Sequence, residues 1–279
     1  MKKGVKEAAP PHGVTRQWSW DGGSGAMIWQ LMFLDSGNVL GIKRIPSQRS
    51  ASLFCLQSET GMALCDDFVL KNADQPDSPV GEGWMIGLET THGELALCHS
   101  YQPGSPEHLG IWAVDLSAGH MVWSRPELTF AANLGSSLLA YRTRVFAGFP
   151  DREYSLVDSM TGVDIEHMGN GHERPNRLRD SAESEQARQG ILLPELVRSG
   201  LEPVESVSCG AYRAEGYHRM NVADGTWFSG LRIMMGELAV YDDVMASNAP
   251  MPLFNNILIK GSTLYYIKGD RELISVSMR

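Results

Sequence analysis

One short stretch of this 279-residue chain combines the side chains best suited to chemistry: Tyr101-Gln-Pro-Gly-Ser-Pro-Glu107-His108-Leu-Gly110. It sets an acid, Glu107, beside an imidazole, His108, in a segment stiffened by two prolines, and binding residues sit disproportionately on loops of this kind. A second polar group follows in Arg142–Arg144 and in Gly148–Glu153, which contributes Asp151 and Arg152. The candidate binding residues for a protein or small-molecule ligand are therefore Glu107, His108, Arg142, Arg144, Asp151 and Arg152. The competing reading is a pair of rigid turns with solvated charges.

Other groupings point away from catalysis. Asp66-Asp67 and Asp242-Asp243 are paired carboxylates, the groups that glycoside hydrolysis needs about 5–10 Å apart around the scissile bond. Neighbours on a strand project to opposite faces, so neither pair does that work alone. His92, His99, His108 and His120 crowd into 30 residues, but intervals of 7, 9 and 12 match neither a helical pair nor an H-x-H strand pair. The four cysteines, Cys55, Cys65, Cys98 and Cys209, show no C-x-x-C spacing. No nucleophile elbow, P-loop or dinucleotide fingerprint occurs, and Asp21-Gly-Gly-Ser-Gly25 has no helix after it. No catalytic residue, metal or cofactor is expected.

Composition narrows the partners. Acidic residues exceed basic ones, 33 to 24, and no basic run occurs, which argues against nucleic acid or an anionic membrane surface. No apolar run approaches the roughly 20 residues of a membrane-spanning helix. The N-terminus starts with two lysines, but Glu7 and Pro10-Pro11 stand where an export signal needs its apolar stretch, so the expected location is cytoplasmic. There Cys55 and Cys65, equidistant from Thr60 in a predicted hairpin, read as reduced thiols facing each other.

The elements that hold these residues are hairpins. Leu53–Asp67, Ile111–Arg125 and Tyr154–Met168 each consist of an apolar strand, a polar turn ending in Gly61, Gly119 or Gly162, and a second strand. The glycine supplies the positive φ at the strand restart. Asp115 and Asp158, four residues before it, are placed to accept backbone N–H bonds from the turn. Further strand candidates between these hairpins make sets of four, each about 40–50 residues long, the signature of β-propeller blades. Five sets are counted. The last, Leu253–Ile259, Thr263–Lys268 and Glu272–Ser277, lacks a strand, which Val14–Trp20 is predicted to donate, closing the ring. A β-sandwich with extra hairpins is the structural rival.

The second hairpin, Ala113-x-Asp115-x-x-x-Gly119-x-x-x-Trp123, resembles the tryptophan-docking repeat of quinoprotein-like (PQQ-like) β-propellers, A-x-D-x-x-T-G-x-x-x-W. Thr60-Gly61, Thr161-Gly162 and Asp158 carry parts of it in the other copies. The resemblance implies a propeller fold and a packing role for Trp123, locking one blade to the next. It does not bring the quinone, because the adjacent cysteines of the dehydrogenases are missing.

One segment breaks the pattern. Residues 170–200 are rich in helix formers. Asn176 is predicted to cap a helix through Arg188 with Gly190 just beyond it, and Pro194 to start a second helix that Gly200 ends. The whole is expected to be one domain, a five-bladed β-propeller with this helical insertion, acting as a non-enzymatic binding or scaffold protein. The alternative is a propeller hydrolase acting on a carbohydrate.

Overall fold

The computed structural model describes residues 13–279 except 76, 103 and 105, and the side chain of Phe146 is not described. Pro10, Pro11 and His12 of the N-terminal arm, and Pro103 and Ser105 of the first candidate loop, lie outside the described residues. The chain is all-β, in five antiparallel sheets of four or five strands. It divides into two compact units, Gly22–Gln189 and a second that joins residues up to Asp21 to Gly190–Arg279. Strand β1 (Val14–Asp21) belongs to the second.

The Gly22–Gln189 unit holds three meanders. The first is β2 (Met27–Phe33), β3 (Val39–Ile45), β4 (Ser50–Leu56) and β5 (Ala63–Phe68). The second is β6 (Ile86–His92), β7 (Leu95–Tyr101), β8 (His108–Asp115) and β9 (His120–Arg125). The third is β10 (Thr129–Asn133), β11 (Ser137–Phe146), β12 (Phe149–Asp158) and β13 (Asp164–Gly169). The middle strands of the first two sheets, and the inner halves of β11 and β12, are buried on both faces. On β7, Ala96 and Cys98 join a core with Leu40, Ile42 and Leu53 of the first sheet, while Leu95 and Leu97 join Leu138, Ala140 and Val157 of the third. The period of two thus sends alternate side chains into two different cores. The last strands, β5, β9 and β13, are largely solvated.

The local turn chemistry follows the sequence. Gly61, Gly119 and Gly162 have φ of +69°, +68° and +70°. Asp115 Oδ1 accepts the Ala118 N–H at 2.9 Å, and Asp158 Oδ1 accepts those of Met160 and Thr161. Cys55 and Cys65 are register partners on β4 and β5, both as free thiols. The Trp123 ring lies across Gly162, where an added Cβ would come within 2.7 Å of it.

A register shift interrupts the first strand of each sheet in this unit: between Ile28 and Gln30 on β2, Leu88 and Thr90 on β6, and Phe130 and Ala132 on β10. Trp29, Glu89 and Ala131 are therefore the extra residues of β-bulges, which re-aim side chains.

Helices α1 (Glu173–Ser181) and α2 (Glu185–Gln189) follow β13. One helix from Asn176 through Arg188 was expected. Asn176 instead lies inside α1, and the extended backbone of Ala182 splits the segment. Gly190 does stand just past α2, at φ +62°.

The second unit holds β14 (Ile191–Leu192), β15 (Glu195–Arg198), β16 (Val204–Cys209), β17 (Tyr212–Met220), β18 (Trp227–Met235), β19 (Leu238–Ala249), β20 (Ile257–Lys260), β21 (Thr263–Lys268) and β22 (Glu272–Met278). The helix predicted from Pro194 is thus strand β15, whose main chain takes up the free edge of β16. That pairing overrides local helix propensity. The strands form two sheets, β15-β16-β17-β18-β19 and β1-β22-β21-β20-β14. The donated strand is therefore present: β1 runs antiparallel to β22 from Val14 opposite Met278 to Asp21 opposite Glu272, and Arg279 N–H donates to the Gly13 carbonyl at 3.1 Å. Trp18 of β1 packs on Tyr265. Leu231, Ile233, Ile259, Tyr266, Ile274 and Val276 form this unit's core.

Two further expectations need correction. The polar groups Arg142–Arg144 and Gly148–Glu153, expected on loops, belong to one long hairpin. Arg142, Thr143 and Arg144 of β11 face Glu153, Arg152 and Asp151 of β12, and the turn is confined to Ala147 and Gly148, with φ of +50° and +86°. Nor do Asp66 and Asp67 point apart. Asp67 has a φ of +58°, and both carboxylates reach the buried Lys43 ammonium, at 2.6 and 3.0 Å. No helix among the described residues is long and apolar enough to cross a membrane.

Candidate functional site

Helix α1 covers β10 and β11, with Leu178 and Ala182 set against Leu139 and Tyr154. Beside this contact opens a cavity of about 420 Å³, whose walls include Glu107, Asp151, Arg152, Tyr154, Asn176 and Arg179. A smaller lobe of about 210 Å³ shares Arg152, Tyr154 and Arg179 and reaches inward to Tyr141 and the bulged Ala131. Three of the six predicted residues, Glu107, Asp151 and Arg152, therefore meet in one place. The Arg152 guanidinium stands 4.5 Å from the centre of the Tyr141 ring. Burial pulls the pKa of Arg152 down, but a hydrogen bond with Tyr154 and the charge of Glu107 help to raise it overall. Asp151 accepts a hydrogen bond from Asn170 Nδ2 at 3.1 Å.

Arg142 and Arg144 do not join them. They alternate along β11 with Thr143, which lines the cavity, so they project from the opposite face. There Arg142 pairs with Glu127 at 3.1 Å and Arg144 with Glu153 at 3.0 Å.

His108, the first residue of β8, does not line the cavity with Glu107 and meets two partners that sequence reasoning missed. Its Nδ1 donates to Glu89 Oε1 at 2.5 Å, and its ring stacks on His99 with centres 3.6 Å apart and planes within 8°. His99 Nδ1 lies 3.1 Å from the same oxygen. That approach is out of line for a hydrogen bond, so both ring nitrogens of this buried imidazole go without one. Tyr101 abuts both rings edge-on. Burial pushes the Glu89 carboxyl up, but the contacts from His108 and His99 outweigh it and hold the group below the usual carboxylate range. The hydrogen bond it donates to Glu89 raises the pKa of His108 in turn, against the pull of burial. One linear signal existed: His99 and His108 flank the hairpin loop of β7 and β8, so their interval of nine residues closes up across two strands. A further aromatic group lies on the neighbouring sheet edge, where the Arg44 guanidinium sits between the exposed Trp29 ring at 4.4 Å and Trp84 at 5.1 Å.

Helix α2 ties together the ends of the three bulged strands. Gln189 accepts the Phe33 N–H of β2 at 3.0 Å and donates to Thr91 of β6, Glu185 accepts from the Thr90 hydroxyl at 2.7 Å, and Arg188 donates to Thr91. Asn133 of β10 completes the set with a bond to Thr90 at 2.7 Å.

Family models give no match to this sequence, and neither do curated proteins. Among solved structures the chain is similar to a "GH43 Endo-Arabinanase from Bacillus licheniformis" at 12% identity and a TM-score of 0.30, over 91% of this chain and 94% of that one.

Proposed function

We propose that this protein is a non-enzymatic binding protein that holds a small anionic ligand in the cavity between α1 and the third sheet. The observation that carries this reading is that Arg152 of β12 and Arg179 of α1 line the same cavity, with Tyr154 and Asn176. Two guanidiniums offer fixed, permanently charged forks suited to carboxylate or phosphate. Glu107 and Asp151 on the rim would select for ligands that also present hydroxyl or amine donors. The five sheets are, in the same proposal, blades of one propeller domain, akin to PQQ-like repeats. The contact of Trp123 with Gly162 and the pairing of β1 with β22 support that assignment. A cytoplasmic setting fits the free cysteines.

Calorimetric titration with sugar phosphates, dicarboxylates and neutral oligosaccharides tests this. An anion should bind the full chain, and Arg152→Ala should weaken it at least tenfold, the worth of one charge-assisted hydrogen bond of about 1.5–3 kcal/mol. Equal binding by the Arg152→Ala variant would refute the site. One observation favours the hydrolase alternative: two carboxylates, Glu107 and Asp151, share this cavity. Glycosidic cleavage abolished by both Glu107→Gln and Asp151→Asn would establish it instead.

A further inference from the structure

We propose that Glu89, His99 and His108 form a binding site for a transition-metal dication of the zinc type, separate from the anion cavity. Three elements converge to make it. The bulge in β6 adds Glu89 to the strand, the β7 and β8 hairpin brings His99 and His108 together, and one donor atom from each residue lies within 4.8 Å of the others. Two imidazoles and one carboxylate are the donor set of open zinc sites, which leave further positions to water or ligand.

His99 supplies an independent reason. An imidazole that is 1% exposed with no hydrogen bond at either nitrogen is costly, because a buried polar atom left unpaired loses its hydration without return. A cation bound at Nδ1 removes half of that deficit. Access exists on one side only: the His108 side chain is 36% exposed, against 10% for Glu89 and 1% for His99.

The metal-free arrangement differs from the loaded one in a definite way. Metal–ligand bonds of about 2.0–2.2 Å in a tetrahedron set neighbouring donors about 3.3 Å apart. The separation of 3.1 Å between His99 and Glu89 already matches, whereas the 2.5 Å between His108 and Glu89 is a hydrogen bond that must open by about 0.8 Å. Parallel rings cannot both aim a lone pair at one ion, so one must tilt. His108, on the open side, is the ring free to do so, and the proton it shares with Glu89 leaves as the ion enters.

The test uses the full chain, stripped with a chelator and titrated with Zn²⁺ by calorimetry and with Co²⁺ by visible absorption. One equivalent should bind, with cobalt bands typical of four- or five-coordination. Glu89→Gln, which keeps shape and hydrogen bonding, and His108→Ala, at the exposed side, should each lose more than the roughly 10–100-fold that a change outside the coordination sphere costs. The imidazole NMR signals of His99 and His108 should shift on zinc addition while those of His92 and His120 stay. No binding by the unmodified chain, binding in either variant within threefold of it, or shifts confined to other histidines would each overturn the proposal.

Discussion

Thr90 and Glu185, 95 positions apart in sequence, meet through a hydrogen bond of 2.7 Å between hydroxyl and carboxylate. The contact fastens α2 to the end of β6, and Glu185 also receives Arg188 and Gln189. Glu185→Ala would remove the acceptor shared by Thr90, Arg188 and Gln189 in a site largely closed to water, leaving Arg188 and Gln189 their bonds to Thr91. The expected loss is about 2–4 kcal/mol. Urea denaturation should show the lower midpoint, and proteolysis within residues 182–200 should quicken. An unchanged midpoint would mean that α2 is held by something other than this network.

Strand β1 offers a second test. Trp18 is nearly buried against Tyr265, so Trp18→Ala should cost about 3–5 kcal/mol. Deleting residues 1–20 should lower the thermal midpoint sharply, because it leaves the edge of β22 unpaired. Cooperative unfolding at the original temperature would sink the idea that this strand closes a ring.

Trp123 and Gly162 form a pair that a single methyl group disrupts. Gly162→Ala places a Cβ within 2.7 Å of the indole and requires an alanine at φ +70°. A loss of about 1–3 kcal/mol is expected. In a double-mutant cycle Trp123→Ala should relieve the steric part of that loss, and strict additivity would refute the contact.

His218 makes stability pH-dependent. Burial depresses its pKa from 6.5 to about 4, with Nδ1 on the Ser229 hydroxyl and Phe254 packed edge-on to the ring. Between those values the unfolded chain binds a proton that the folded chain refuses, so stability is full above pH 6.5 and falls as pH drops toward 4. The loss is about 3 kcal/mol at the acid end. His218→Gln should flatten this dependence in denaturation curves at pH 5 and pH 7, and an equal slope in both proteins would contradict the assignment.

Features set by near neighbours were legible in the sequence. The hairpin glycines, the turn roles of Asp115 and Asp158 and the opposition of Cys55 to Cys65 follow from turn chemistry and alternation, and the donated strand, a distant pairing, follows from strand counting alone. That Glu107, Asp151 and Arg152 line one cavity follows from their places near hairpin turns, a position legible as polar loop sequence. What escaped depends on partners distant in sequence. Glu89 is the extra residue of a bulge, which changes the face that a strand residue occupies and leaves no mark on the alternation. Leu196 and Val197 become strand only because β16 offers an unpaired edge, and α2 is anchored by Thr90, Thr91 and Phe33 from sheets laid down long before it. Arg142 and Arg144 lie in strand β11 rather than on a loop, because one long hairpin looks in sequence like two short strands and a loop.

The pairing of β1 with β22 also governs the order of events during synthesis. Val14 emerges from the ribosome among the first residues of the described chain, yet its partner Met278 is among the last. Until then β1 has no ladder to join, and a contact of such sequence separation is slow to form even in the finished chain. Residues 22–271 are thus made while β1 stands unpaired with Val14 and Trp18 uncovered, which makes that strand a natural point of engagement for a chaperone and a place where crowded nascent chains would aggregate.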